Sequence, residues 1–483
     1  MSARSGRHGH AVVIGAGVAG LATAQVLTDH FEQVTVVERD RLTADARPRP
    51  GVPQGRHAHA LAARGRILLE DLFPGLGSEL QRAGALPADF CRQARHHWPA
   101  GVPEPTASPV VIQPVSRPLL ELTLREHLAA LAEVHVIDGC AVTGLVGRPG
   151  EITGVCVTQR KGVGPRREQV DSPSGLVRAD LVVDASGRSS HLPGWLTDLG
   201  LPAPTELTTD ARVGYASRAY HADPSRLPNW RALFETPRAP GRTRGCFALL
   251  IEDRRLLITL QGVAGDHPPY DEDGFGAFMT SLDSDLAEVV ADLRPASGIH
   301  RYARSTTHNR LYHRVRPWPD GLIVLGDATV TFNPLYAQGM TVAAMAAHTL
   351  RDLLDRHRDI SPRRLTAAYQ RRLARATAWP WQMSVLADRA WTEPTLPVRA
   401  AVAYLGTCQD LAVEDTAMFV DLARVTNLLA RPAVLLRPRH LVQALRHRRA
   451  RAMPGQYGSA PGTDPRHLPL LQRPAGRQER DHP

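Results

Sequence analysis

Two histidines one residue apart, His57 and His59 in the stretch VPQGRHAHAL, follow Gly55 and Arg56. Three chemistries suit such a cluster: half of a metal site, a catalytic base with a neighbour, or one wall of a cofactor cradle. A metal site needs at least a third ligand. The local sequence offers none, so no metal is assigned. Helical spacing begins directly after the pair, in ALAARGRILLEDLF, which places Arg56 and His57 in the loop that enters a helix.

Three glycine-bearing segments offer further chemistry. GAGVAG supplies Gly15, Gly17 and Gly20 between the apolar run HAVVI and the small-residue run LATAQVL. In that strand-turn-helix order the backbone can approach a pyrophosphate and the helix can pack closely on its strand. Glu38 closes the next strand pattern, VTVVE, 18 residues beyond Gly20; an acid there accepts hydrogen bonds from an adenosine ribose and disfavours a ribose 2′-phosphate. VVDASGRSS holds Asp184 and Gly187 after a buried-strand pattern. IVLGDATVTFNPLYAQGMTVAAM holds Gly326, Asp327, Pro334, Gly339 and Met340 between a strand and a helix. A structural Gly-rich turn with an incidental glutamate would account for the first segment alone, but not for all three.

The elements that must position these residues are spread along 483 residues, too many for one small core. Hydrophobic content of 43% and charged content of 22% fit a globular protein. VHVI, ITGVCV and DLVVDAS read as strands that complete a parallel sheet begun by HAVVI and VTVVE. RPLLELTLREHLAALAE reads as a helix. Between about Trp195 and His313, runs such as CFALLIED and RLLITLQGV alternate with the period of a half-solvated antiparallel sheet, and FGAFMTSLDSDLAEVVADL reads as one helix. The expected fold is α/β: a Rossmann-like domain from 1–90, 115–194 and 314–357, an inserted antiparallel-sheet substrate domain from 91–114 and 195–313, and a helical region over 358–453. From Pro454 the chain lacks apolar periodicity, and 454–483 is expected to be a disordered tail.

Composition limits the partners. The formal net charge is +10, yet Lys161 is the sole lysine and the arginines before residue 430 are dispersed. That is compositional bias rather than the basic stripe with stacking aromatics of a nucleic-acid surface. Five separated cysteines without a CxxC argue against a zinc knuckle or a disulfide framework and for a reducing cytoplasm. The apolar run from Ala11 to Leu27 imitates a signal peptide, but its three spaced glycines suit the nucleotide-binding turn instead. No other run approaches a membrane span, so an integral membrane protein is not expected.

Taken together, GxGxxG with Glu38, then DASGR, then GDA…P…GMTVA resemble the FAD-dependent monooxygenases of the para-hydroxybenzoate hydroxylase type. Within that group GMTVA and PQGRHAHAL resemble squalene epoxidase and, more closely, the polyene epoxidases of polyether antibiotic biosynthesis, of the monensin and lasalocid type. Where many aromatic hydroxylases read GDAAH, this chain has Thr329 and Val330 after GDA. The resemblance implies that FAD is cradled by Gly15, Gly17, Val18, Ala19 and Gly20, with Glu38 and Arg39 at the adenosine. Asp327 after Gly326 would meet the ribityl chain. Gly339 and Met340, opening a helix, would meet the flavin ring. Asp184, Gly187 and Val142 complete the cofactor set, and Arg117, in the RxxLxxxL element SRPLLELTL, approaches the FAD. Arg56 is expected to contact the pyrophosphate or flavin, His57 to touch the flavin or help gate it, and His59 to be a packed, hydrogen-bonded histidine.

No acid or base is assigned, because oxygen transfer from a flavin C4a-hydroperoxide to an alkene needs no protein nucleophile. Pro334, Gly339, Met340 and His57 are expected beside the flavin, and Tyr215, Phe247, Leu249 and Phe332 in the substrate pocket, although an aromatic on a sheet also suits ordinary core. The resemblance implies O2 and NADPH or NADH as co-substrates and a hydrophobic alkene, free or carried on an acyl carrier protein. The Arg/His-rich run 431–452 suits such a carrier, a membrane surface or plain solvent. Aromatic hydroxylation shares the same cofactor apparatus, and an isoprenoid reductase or a non-catalytic flavin redox protein shares the fold. A flavin halogenase is set aside, because that family's lysine and WxWxIP element are represented only by Lys161 in a polar loop and by WPWQM.

Overall fold

A computed structural model describes residues 7–159, 175–222, 229–303 and 306–452. Lys161 and the 454–483 segment lie outside the described residues.

Five strands form a wholly parallel sheet in the order Leu322–Val324, Leu181–Asp184, His8–Ile14, Phe31–Glu38, Val134–Asp138. Its central strands carry the continuous apolar runs AVVI, VTVV and LVV because both faces are covered there, whereas the edge strand Val134–Asp138 is partly exposed. Side chains alternate between the faces. Ala11, Val13, Val34, Val36 and Val183 pack against helices Val18–Leu27, Arg117–Ala129 and Gly339–Arg356. Val12, Ile14, Val37, Val182 and Val324 pack on the opposite side.

That opposite side is covered by a three-stranded antiparallel sheet, Cys140–Arg148, Glu151–Gln159 and Gly175–Arg178. ITGVCV therefore stacks on the parallel sheet instead of joining it. The reason is local: the two-residue connection Pro149–Gly150 can only return the chain antiparallel.

A six-stranded sheet runs in the order His300–Tyr302, Gly214–His221, Arg255–Gly262, Arg244–Ile251, Ala232–Glu235, Ala94–His97. Its pairings are antiparallel except the last, which is parallel. The half-solvated expectation is corrected, for this sheet is buried on both faces. Ala216, Leu233, Ala248, Ile258 and Leu260 pack on Phe275, Phe278 and Leu286; Ala219, Leu249 and Leu257 pack with Cys408, Met418, Phe419 and Leu422 of the C-terminal helices. The single helix expected over 275–293 is two, Glu272–Thr280 and Leu286–Val290. The break occurs where the backbone N–H groups of Asp283 and Ser284 leave helical bonding to donate to the buried Glu235 carboxylate at 2.9 and 3.0 Å.

Helices Thr366–Thr392, Leu396–Ala412, Thr416–Thr426 and Pro438–Ala452 form the C-terminal region. The first contributes Tyr369 and Leu373 to the parallel-sheet core. The last carries exposed Arg446, Arg448 and Arg449. Among the described residues, no helix is long and apolar enough to cross a membrane, and no three His, Cys, Asp or Glu side chains are grouped to hold a metal.

Candidate functional site

The carboxyl ends of the parallel strands open on a cavity of about 570 Å³ that extends to the six-stranded sheet. Crevices at such strand ends are where open α/β sheets take ligands.

The first wall is the glycine turn. Gly15 has φ +100° and donates its N–H to Val37 O at 2.8 Å; a side chain there would meet Ala185 O at 2.7 Å. Gly20 faces inward, where a Cβ would lie 1.9 Å from Gly15 O and 3.4 Å from Val13 Cγ1. It does not line the cavity but lets the helix approach its strand. Gly20→Ala is therefore expected to cost about 1–3 kcal/mol by overpacking and to displace the turn; thermal melting and retained flavin after dialysis would check this, and unchanged values would contradict it.

Glu38 is buried, and both its oxygens are engaged. Oε2 accepts from Ala16 N at 2.8 Å and pairs with Arg49 Nη1 at 2.9 Å, while Oε1 accepts from Asp40 N at 2.9 Å. Arg49 is a residue the sequence reading passed over. Its guanidinium also pairs with Asp40 at 3.3 Å and Glu121 at 3.1 Å, and donates to Ala16 O at 3.0 Å. Glu121 also pairs with Arg117 Nε at 2.7 Å. Burial pushes the Glu121 carboxyl upward, but Arg117 and Arg49 outweigh it and hold the group below its ordinary range. This five-residue charge cluster clamps the proline-rich loop onto the glycine turn. An arginine among prolines gives no sequence signal of its partners.

The other two motifs build the rest of the cradle. Asp184 is buried and points inward, accepting from Ser186 N at 2.9 Å, Ser186 Oγ at 2.6 Å and Ser190 Oγ at 2.5 Å. It shapes the turn that carries Gly187, with φ +83°, and Arg188 to the cavity. Gly326, φ +62°, brings Asp327 against the first helix; a Cβ there would lie 2.7 Å from Ala19 Cβ. Val18, Ala19, Arg39, Arg117, Val142 and Asp327 all line the cavity, whereas Gly20, Arg56, Asp184 and Gly326 do not.

The cradle fits an FAD on three observations. The Asp327 carboxylate lines the cavity without a hydrogen-bond or ion-pair partner among the described residues, and burial raises its pKa although Arg117 and Arg188 pull it down. Gln338, only 5% exposed, likewise lines the cavity and its Oε1 has no partner. Finally, helices Val18–Leu27 and Gly339–Arg356 both start at the cavity without a side-chain cap. Their free N–H groups and positive dipole ends suit a pyrophosphate and an electron-rich ring.

The expectation for Arg56 is corrected. Its side chain is exposed, and Nη1 lies 3.5 Å from His300 Nε2, because the short 3₁₀ turn Pro53–Arg56 projects it away from the cavity. His57 turns inward from the same loop. Its Nδ1 lies 2.7 Å from Ser217 Oγ, which lies 2.6 Å from Thr259 Oγ1, and that atom accepts from Ala58 N at 2.8 Å. Burial, then His59, His300 and Arg56, lower the His57 pKa to about 3, so the ring is neutral. His59 bonds the His57 carbonyl at 2.8 Å through Nδ1, and burial, followed by Arg117, lowers it to about 4.

Across from the cradle, the cavity is walled by His57, Tyr215, Phe247, Leu249, Phe332, Pro334 and Met340, together with Phe234, Thr259, Tyr302 and Asn333, which the sequence reading did not single out. The rings of His57, Tyr215 and Tyr302 cluster with centroids 5.5–6.4 Å apart. The four arginines of the cavity, Arg39, Arg49, Arg117 and Arg188, all belong to cradle segments. WPW (379–381) lies within helix Thr366–Thr392, with both tryptophans packed on the cluster around Phe332 and Met345.

A parallel sheet with this cradle, facing an inserted sheet, is the fold of the flavin-dependent hydroxylases. Solved structures of the same fold include the flavin-dependent brominase Bmp2, with a TM-score of 0.60 over 92% of this chain and 100% of that one at 14% identity. Another is the tetrameric form of 2-methyl-3-hydroxypyridine-5-carboxylic acid oxygenase, with a TM-score of 0.56 over 83% of this chain and 97% of that one at 16% identity. The chain belongs to the family of Protein Rv3254 of Mycobacterium tuberculosis, to which it is 31% identical over 395 residues, 80% of this chain and 81% of that protein. It is also 27% identical to squalene epoxidase 4 of Arabidopsis thaliana over 353 residues, 71% of this chain and 61% of that protein. No protein-family model matches the chain.

Proposed function

We propose that the protein is a FAD-dependent monooxygenase that uses O2 and NAD(P)H to epoxidise alkenes of an extended apolar substrate, of the kind a polyene polyketide provides. The reading rests on one observation: a nucleotide cradle and an uncharged, largely apolar wall share one cavity. Bound FAD, once reduced by the nicotinamide, supplies the oxygen-activating chemistry. Overall, alkene, O2, NAD(P)H and a proton become epoxide, NAD(P)+ and water.

This chain's residues bind, orient and exclude water. Gly15, Gly17 and the first turn of helix Val18–Leu27 hold the pyrophosphate, Glu38 the adenosine end and Asp327 the ribityl hydroxyls. Phe247, Leu249, Phe332 and Met340 keep water from the reacting carbons. Neutral His57 matters for the product. An imidazolium would be an acid able to open an epoxide, and burial of His57 beside Ser217 removes that acid at working pH. The similarity to squalene epoxidase 4 supports the alkene reading.

Aromatic hydroxylation is the second reading, favoured by the shared fold with 2-methyl-3-hydroxypyridine-5-carboxylic acid oxygenase. Aerobic turnover of a panel of polyenes and phenols under 18O2, read by product mass, separates the two. One labelled oxygen in an alkene product is expected; label in a phenol and in no alkene would overturn epoxidation.

A further inference from the structure

Behind the cavity, outside its lining, lies a buried carboxylate that no part of the proposed chemistry uses. Asp388 sits near the end of helix Thr366–Thr392 with 0% exposure. Its Oδ2 accepts from Thr307 Oγ1 at 2.7 Å, and its Oδ1 accepts from Asn333 Nδ2 at 3.0 Å and from the Tyr336 hydroxyl at 3.1 Å. Among the described residues it has no ion-pair partner, and burial pushes it up to about 6 although the three hydrogen bonds pull the other way. A carboxylate buried without a cation is costly unless its lone pairs are used. Here two of the three donors, Asn333 and Tyr336, come from the loop that borders the cavity, and the third, Thr307, from a neighbouring strand.

The consequence for the loop is geometric. An ionised carboxylate is acceptor-only, so Asn333 must turn its NH2 toward Asp388. Its Oδ1 is then left to accept from Leu335 N at 3.1 Å and from the Tyr215 hydroxyl at 3.1 Å. Asn333 N also donates to Thr307 Oγ1 at 3.1 Å. One side chain thereby ties Asn333 to Tyr215 of the substrate wall and fixes the short turn Pro334–Tyr336. That turn leads through Ala337, at φ +50°, into Gln338 and the uncapped helix at Gly339. Asn333, Pro334, Ala337, Gln338 and Gly339 all line the cavity.

We propose that Asp388 is a positioning residue for the cofactor site, acting through Asn333 and Tyr336 to hold the loop 333–338 and the first turn of helix Gly339–Arg356 against the bound ring. This rests on the FAD reading above. Asp388→Asn keeps an acceptor oxygen for Asn333 and Tyr336 and makes Thr307 Oγ1 the acceptor of its NH2, whereas Asp388→Ala strands all three donors.

The test is FAD affinity, read by quenching of flavin fluorescence, together with the absorption spectrum of the bound flavin and thermal melting. Asp388→Ala is expected to raise the FAD Kd at least ~10-fold and alter the bound spectrum, and Asp388→Asn to stay within ~3-fold. Asp421→Ala is the control, since it removes another C-terminal carboxylate, paired with Arg437, Arg439 and His440, far from this loop in its contacts. It is expected to lower the melting temperature without changing FAD affinity or spectrum. If Asp388→Ala does not fold, Thr307→Val, which removes one donor to Asp388 and the acceptor of Asn333 N, is expected to shift the spectrum in the same direction with a smaller loss of affinity. Wild-type FAD affinity and spectrum in the Asp388→Ala or, failing that, the Thr307→Val protein overturn the proposal, as does an equal loss in Asp421→Ala. A wild-type protein that does not bind FAD overturns the flavin reading itself, and this inference with it.

Discussion

Arg49→Ala is expected to yield a protein that purifies without flavin and has lost about 3–5 kcal/mol of stability, the usual cost of removing one partner from a buried ion cluster. The side chain is 11% exposed, and its three carboxylate partners, on Glu38, Asp40 and Glu121, are each 3–6% exposed. Without the guanidinium, three carboxylates remain in one buried site, with Arg117 pairing only Glu121. They would have to take up protons or admit water. Either response releases the proline-rich loop from Ala16 O and opens the adenosine end of the cavity. Arg49→Lys is expected to fall between, because an ammonium keeps the charge but cannot reach four acceptors in one plane. Arg56→Ala, in contrast, removes an exposed side chain and is expected to stay within ~0.5 kcal/mol of wild type. Thermal melting and flavin content per chain decide the matter; an Arg49→Ala protein with full flavin and an unchanged melting temperature would rule out the clamp.

Mild acid is expected to destabilise the protein strongly between pH 6.5 and 5, well above the range in which carboxylates ordinarily titrate. Four histidines are held neutral by burial: His57 at about 3, and His59, His96 and His308 at about 4. His57 also feels His59, His300 and Arg56, and His308 the arginines Arg310 and Arg188. Their folded pKa values lie below the unfolded value of 6.5. As pH falls through 6.5 the unfolded chain therefore binds protons that the folded chain refuses, and stability present above that pH is lost. At pH 5 each histidine withdraws about 2 kcal/mol, about 8 kcal/mol together, against a typical total of about 5–15. Asp388 works in the opposite sense. Its raised pKa means that protonation below pH 6 favours the fold, but it returns only about 1 kcal/mol at pH 5. Circular dichroism between pH 8 and 4 measures the loss. His308→Gln, at a ring whose Nε2 has no partner, is expected to move the midpoint to lower pH, and a melting temperature that stays flat from pH 7 to 5 would refute the account.

The readings that survived into the structure are those that depend on local chain geometry. A glycine that must adopt φ +100°, an apolar run of five residues and an acid at the end of the next strand each leave a mark in consecutive residues. The glycine turn at Gly15 and the strands HAVVI, VTVVE and DLVVDAS were legible for that reason, whereas the order in which they pair was not. The inserted sheet was legible as strands but misread as half-solvated, because its alternation cannot say whether the second face meets water, a cavity or the C-terminal helices far along the chain. The helix break at Ser281 was invisible for the same cause, since its reason is the carboxylate of Glu235.

The candidate site divides along the same line. By itself the sequence determined the glycine turns at the strand ends that line the cavity, because a backbone closely approached by other segments restricts residue type at fixed spacing. Only the tertiary structure decided which arginine turns inward, Arg49 rather than Arg56. It alone placed the neutral ring of His57 on Ser217 and set Asp388 behind Asn333. In each of these the deciding term is desolvation and hydrogen bonding between segments distant in the chain, and such energies depend on what surrounds a side chain, which neighbours in sequence do not specify.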